Sequence, residues 1–271
     1  MTAVDFASFV EKLATVSGEA ILPFFRTMIG VEDKAHGPAG AARKPFDPVT
    51  EADRAAEAAM RRMIAETFPR HGIIGEEFGN MAQAAEYVWV LDPIDGTRSF
   101  ICGLPVWGTL IGLTHRGVPV YGMMHQPFTR ERFRGDGRSA TWSGVSARGD
   151  KIERRLHVRS CSSLAEATLM TSTPALFDAE LRGIYDRIEA QVRLARYGTD
   201  CYAYCMLAAG HVDLVIEAGL QPYDIVALVP IIEGAGGIVT NWQGGSPAQG
   251  GSIVAAGDKR LHEIVLKHLQ G

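Results

Sequence analysis

Apolar side chains at Phe6, Phe9, Val10, Leu13, Ala20, Ile21 and Phe24 recur at three- and four-residue spacing, which predicts an amphipathic helix over the first 25 residues. A loop containing Gly and Pro follows at 36–48. Thr50 opens an Ala-rich helical stretch that runs to about Phe68 and is closed by Pro69 and Gly72, and Thr50-x-x-Asp53 has the form of a capping box. The pattern turns to strands at Tyr87–Leu91, a short apolar run ending on Asp92. At 106–125 two apolar runs flank a turn at Arg116-Gly117 and predict a hairpin. The glycine-rich stretch 135–149 extends this strand-and-turn region.

Past about residue 150, strands and helices alternate. Helices are predicted at 175–190, at 200–209 and from Asp258 onward, with strands at Val212–Glu217 and Ile238–Asn241, and Ser252–Ala256 leading into the last helix. That alternation implies a partly parallel sheet with helices packed on it. Pro230 lies inside an apolar helical run, where a proline costs about 3 kcal/mol, so a kink is expected there. The fold class is α/β, with an α+β first half at 1–145 and an α/β second half at 146–271 in one compact unit.

Composition narrows the partners. The chain has 271 residues, 46% of them hydrophobic, enough for a sizeable core. A formal net charge of -4 without a Lys/Arg run argues against nucleic acid. No apolar run approaches the roughly 20 residues of a membrane span, so a soluble, cytoplasmic protein is expected. Cysteines at 102, 161, 201 and 205 lack the paired spacing of a zinc site and are expected to be reduced. Cys201 and Cys205 are read as buried packing on one helix.

Four acidic sites stand in unusual surroundings: Asp53, the pair Glu76-Glu77 after Ile73-Ile74-Gly75, the pair Asp92 and Asp95 after the apolar strand, and Asp224 before an apolar helix. Each alone has a plain reading. Asp53 could be only a helix cap, Glu77 a solvated neighbour of Glu76, Asp95-Gly96 a turn, and Asp224 a cap. One hypothesis joins them: carboxylates gathered at strand ends bind hard cations, and an all-oxygen set favours Mg²⁺ over zinc. The chain would turn at Gly96 into a short helix near Thr97, whose first amides form a phosphate cradle. Phosphate-monoester hydrolysis needs enhancements up to about 10²¹, whereas one general acid or base supplies typically 10² to 10⁴, so metal ions are required.

The motifs D-P-V-T-E-A-D at 47–53, G-E-E at 75–77, W-V-L-D-P-I-D-G-T at 89–97, G-T-D at 198–200, and Asp224 before I-E-G-A-G-G at 232–237 resemble the inositol monophosphatase-like family of Mg²⁺-dependent, lithium-sensitive phosphatases. The resemblance covers nearly the whole chain. It implies a layered α-β-α-β-α sandwich, with an antiparallel sheet in the first half and a mixed sheet in the second, assembled as a homodimer. It further implies that Glu76, Asp92, the Ile94 carbonyl and Thr97 ligate a first metal, Asp92, Asp95 and Asp224 a second, and Glu76 with water a third. By the same resemblance Thr97 and Asp53 would orient or deprotonate the attacking water, and the Gly96 and Thr97 amides would meet the phosphate.

Substrate choice moves downstream. Inositol-directed relatives carry Trp before the last metal-binding Asp, whereas this chain reads L-Q-P-Y-D at 220–224; with R-Y-G-T-D-C-Y-A-Y at 196–204 it looks like the histidinol-phosphate phosphatase branch. Asp200 stands where inositol-directed relatives have a small residue, and Glu217 matches a substrate-contacting glutamate of the family. Asp95, Asp200, Glu217 and Asp224 are thus the implied substrate contacts, although Asp200 could also cap the helix at 200–209. Opposite charges about 4 Å apart gain roughly 4 kcal/mol at an effective dielectric near 20, which suits a cationic leaving group better than a polyol. The expectation is hydrolysis of L-histidinol phosphate. The alternatives are an inositol or broad-specificity sugar or nucleotide monoester phosphatase, and a non-catalytic phosphometabolite-binding protein that has kept the fold.

Overall fold

The computed structural model describes residues 5–28, 30–33 and 48–270. Asp5 caps the first helix, α1 (Phe6–Ile21), by accepting from the Ala7 amide at 3.0 Å. The helix stops short of residue 25 because Pro23 has no amide to continue the ladder. Of the loop read at 36–48, positions up to 47, including Asp47, lie outside the described residues. A small antiparallel pair, β1 (Val31–Asp33) and β2 (Pro48–Thr50), leads into α2 (Glu51–Thr67). The capping box forms as expected: Asp53 Oδ2 accepts from the Thr50 amide at 2.8 Å and from its hydroxyl at 2.6 Å.

The first sheet has eight strands: β3 (Gly72–Gly75), β4 (Gly79–Met81), β5 (Tyr87–Asp95), β6 (Gly108–His115), β7 (Val118–Gln126), β8 (Glu131–Gly135), β9 (Ala140–Val145) and β10 (Lys151–Arg155). Their order is β10-β9-β8-β7-β6-β5-β3-β4. An antiparallel sheet was implied; it is antiparallel except that β4 carries the chain back and β5 then runs in the direction of β3, making that pair parallel. A short helix, α3 (Thr97–Ile101), joins β5 to β6.

The second sheet is mixed, in the order β12-β11-β13-β15-β14. It contains β11 (Thr168–Thr171), β12 (Leu194–Tyr197), β13 (Leu214–Leu220), β14 (Ile238–Asn241) and β15 (Gly251–Ala256). The first three are parallel and the rest antiparallel. Around them lie α4 (Ala179–Glu189), α5 (Asp200–Ala208), α6 (Pro222–Ile225), α7 (Val229–Gly234) and α8 (Lys259–Leu269). α4 starts later than residue 175 because Asp178 caps it, accepting from the amides of Glu180 and Leu181. The expected kink at Pro230 is instead a break: α6 ends at Ile225 and α7 starts afresh, with Pro230 in its first turn, where no intrahelical amide is needed.

Alternating side chains show the layers. On β5 and β6, Trp89, Leu91, Ile111 and Leu113 meet α1 and α2, while Leu110 faces inward to α5 and α7. On β13, Val215 joins that central core while Leu214 and Ile216 meet α4 and α8. The stack is α-β-α-β-α. The central strands β5, β6, β13 and β15 are covered on both faces, which is why they read as near-continuous apolar runs. No helix among the described residues is long and apolar enough to cross a membrane.

One glycine stripe sets the middle layer against the first sheet. Gly112, Gly122 and Gly135 are cross-strand partners on β6, β7 and β8. A Cβ at Gly112 would fall 2.8 Å from Val226 Cγ1, and Cβ atoms at Gly122 and Gly135 would overlap the carbonyls of Ala227 and Pro230. The chain from α6 to α7 therefore lies backbone-close on the sheet. That seating fixes the height of α6, and with it Asp224.

Candidate active site

The run D-P-I-D-G-T is built around a bulge. Asp92 pairs opposite Leu110 and Asp95 opposite Gly108, so a three-residue step on β5 spans a two-residue step on β6. In a regular strand residues three apart face opposite ways; the bulge lets both aspartates serve one side. The Ile94 amide donates to Asp92 Oδ1 at 3.0 Å, and the Thr97 hydroxyl donates to the Ile94 carbonyl at 3.0 Å. Gly96, with φ 85, makes the turn into α3 in a left-handed conformation that a side chain would resist.

Asp224 comes to this bulge from α6, its Oδ2 accepting from the Gln221 amide at 2.7 Å. Oxygens of Asp92, Asp95 and Asp224 lie within 4.8 Å of one another. They line a cavity of about 520 Å³ together with Glu76, Ile94, Gly96, Thr97 and Asp200. Asp200 opens α5 with φ 41, an uncommon conformation for a residue with a side chain. Its Oδ2 accepts from the Ser99 hydroxyl at 3.3 Å, and a Cβ at Gly96 would stand 2.9 Å from that oxygen. The next amide, that of Cys201, donates to Asp95 Oδ2 at 2.6 Å. The start of α5 thus touches Asp95 through the amide that follows Asp200.

Two sequence-selected residues do not line this cavity. Asp53 is buried at the start of α2 and holds Thr50, while the neighbouring Ala52 and Ala56 pack near Ile94. Glu217 lies behind the wall: its carboxylate accepts from Thr171 Oγ1 at 3.1 Å, Ser172 N at 2.6 Å and Ser172 Oγ at 3.0 Å. Ser172, which does face the cavity, was not singled out from sequence, nor was Arg98, which also lines it; Tyr223 of the L-Q-P-Y-D run does line it. Glu57 was missed as well. It is fully buried on α2 and accepts from the amides of Glu77 at 2.8 Å and Phe78 at 3.2 Å, which fixes the turn carrying Glu76. A second acid, four residues after Asp53 on the Ala-rich inner face of α2, was the available signal.

Burial first, then the carboxylates of Glu76, Asp95 and Asp224, push Asp92 well above the usual carboxylate range. Asp95 is pushed well up in the same way, by burial and then by Asp200 and Asp224. Burial also raises Asp224 to about 7. Crowded acids of this kind hold protons unless a cation neutralises them, and a donor set made only of oxygens fits a hard divalent ion.

A family model described as the inositol monophosphatase family matches residues 3–271. The Arabidopsis thaliana protein named bifunctional phosphatase IMPL2, chloroplastic, is 43% identical over 98% of this chain and 75% of its own length. A Mycobacterium tuberculosis protein named histidinol-phosphatase is 36% identical over 82% of this chain and 84% of its own length. Among solved structures, an inositol monophosphatase from Zymomonas mobilis superposes with a TM-score of 0.81 at 40% identity, covering 96% of both chains. With the match to the family model running almost end to end and its acids meeting at one bulge, this chain belongs to the inositol monophosphatase family of phosphatases.

Proposed function

We propose that this phosphatase hydrolyses L-histidinol phosphate to L-histidinol and phosphate with Mg²⁺. Asp92, Asp95 and Asp224, with Glu76, the Ile94 carbonyl and Thr97, would hold the two or three ions. Magnesium bound there supplies an activated water, neutralises phosphoryl oxygens and stabilises the leaving oxygen. The remaining work falls to the chain. Glu76 and the Thr97 hydroxyl would flank the space where the water attacks, and Thr97 with Asp53 would orient or deprotonate that water. The amides of Gly96 and Thr97 orient the phosphate.

The observation that carries the substrate is Asp200. Its carboxylate lines the cavity directly behind Gly96, where it would face the leaving group. An ammonium or imidazolium is the complement of that acid, and histidinol offers both groups. Ser172 connects the same wall to Glu217, so that Glu217 would act on the substrate by orienting Ser172. The printed name of the Mycobacterium tuberculosis relative supports the same reading. Identity to the Zymomonas mobilis inositol monophosphatase favours a second reading, a polyol-phosphate phosphatase.

A phosphate-release panel with Mg²⁺ separates them. L-histidinol phosphate is expected to give the highest kcat/KM among itself, inositol 1-phosphate, fructose 1,6-bisphosphate and a 3'-phosphonucleotide. A higher value on any of the others removes the substrate assignment, and release from none removes catalysis. The proposal includes a homodimer, which light scattering would report as twice the 29.3 kDa chain.

A further inference from the structure

A second cleft, of about 570 Å³, lies on the outer face of the first sheet between α1 and strands β8 to β10, and it shares no lining residue with the acidic cavity. Its wall is an ion network. Glu11 accepts from the guanidinium groups of Arg132 and, at 2.7 Å, Arg134, which also reaches Glu153 at 2.7 Å. Those charges cancel. Arg130 and Lys151 also line the cleft, and among the described residues neither side chain has an ion-pair or hydrogen-bond partner; Glu19 is the opposing acid whose side chain lacks one. The uncommitted charge is therefore positive.

The cleft is also lined by a largely buried histidine. His125 is 5% exposed, and Arg132 Nε, always a donor, points at its Nδ1 from 3.3 Å, which leaves the ring proton on Nε2. The Glu131 carbonyl, also 3.3 Å from Nδ1, is then not its partner. Nε2 lies beside Gly18 of α1: a Cβ there would come 3.0 Å from Nε2 and 2.9 Å from Pro127 Cβ. A glycine inside a helix costs about 0.8–1 kcal/mol relative to alanine, and here it leaves room for the ring. Among the described residues no acceptor meets the Nε2 proton.

A hydrogen-bonded chain runs from this wall to the metal loop. Ser17, next to Gly18, bonds Thr109 Oγ1 at 2.8 Å, and Thr109 Oγ1 donates to the Pro93 carbonyl at 2.8 Å, inside D-P-I-D. Ser17 and Thr109 are fully buried, and Thr109 is the cross-strand partner of His125. We propose that this cleft is an effector site for a small anion carrying carboxylate or phosphate groups, and that its occupancy is transmitted to the Asp92–Asp95 loop through Ser17, Thr109 and Pro93.

Calorimetric titration of the full chain with inorganic sulfate and, separately, with succinate tests this. Saturable binding is expected, weakened about tenfold or more in the double variant Arg130→Glu/Lys151→Glu, whose phosphatase activity without anion is unchanged. The tighter of the two probes identifies the headgroup. Saturating anion should move the Mg²⁺ dissociation constant by about fivefold in the wild type, with no such shift in the double variant and a smaller one in Ser17→Ala. The proposal is overturned by an absence of saturable binding, by equal binding in the double variant, or by an Mg²⁺ constant that ignores the anion or shifts equally in both proteins.

Discussion

Asp92, at the end of the first sheet, and Glu217, in the second, are buried to 2% and 1% exposure, yet their surroundings are opposite. Glu217 receives three hydrogen bonds from Thr171 and Ser172 and is satisfied by the protein. Asp92 receives the Ile94 amide and otherwise faces Glu76, Asp95 and Asp224. Depth alone does not identify a functional acid. What separates them is what surrounds the carboxylate: hydrogen-bond donors around Glu217, and other acids around Asp92, whose charge a cation would neutralise.

The largest expected effect breaks the Asp92 side. Asp92→Asn should lower kcat by on the order of 10³-fold or more, while the melting temperature of the metal-free protein rises because like charges no longer crowd. An active variant, or one that melts lower without metal, would contradict the unsatisfied-acid account.

The Glu217 side is tested by pH. Burial raises its carboxyl to about 7 from an ordinary 4.5, so the folded state binds the proton more tightly than the unfolded state does. Its contribution to stability is full below about 4.5 and is lost as pH rises through 7. The change is at most about 3 kcal/mol. Melting curves of wild type and Glu217→Gln should therefore converge at low pH and separate above 7, with the variant higher; parallel curves would refute the shift.

A third substitution tests how the two sides are held together. Gly122→Ala places a methyl group against the Ala227 carbonyl, and about 1–3 kcal/mol of stability should be lost. Because the displaced segment carries Asp224, the Mg²⁺ requirement should increase with it, and denaturant titration alongside a Mg²⁺ activity curve reads both. The smallest effect concerns specificity. Asp200→Asn should reduce kcat/KM on L-histidinol phosphate about tenfold and leave inositol 1-phosphate nearly unchanged. An equal loss on both would make Asp200 a structural acid like Glu217.

Much of the first half was legible. Helical spacing, the Thr50 to Asp53 box and the Arg116-Gly117 turn are local signals, and α1, α2 and the β6–β7 hairpin follow them. The four-residue strands β11 and β12 carried no such pattern, because both owe their strand state to parallel neighbours far away in sequence. Pro230 illustrates the limit: its local cost was legible, but whether the chain would kink or restart depended on the seat that the glycine stripe offers.

Sequence alone determined the chemistry, because D-P-I-D-G-T places two acids, a bulge-forming proline and a left-handed glycine within one continuous turn whose conformation is set by its own residues. Tertiary structure decided which other acids join them and in what condition. Asp224 and Asp200 reach the cavity through packing across the central layer, Glu217 is withdrawn behind Ser172, and Glu57 on α2 holds the turn that carries Glu76. Neutralisation of a buried charge depends on atoms brought from distant parts of the chain, and only the folded molecule specifies them.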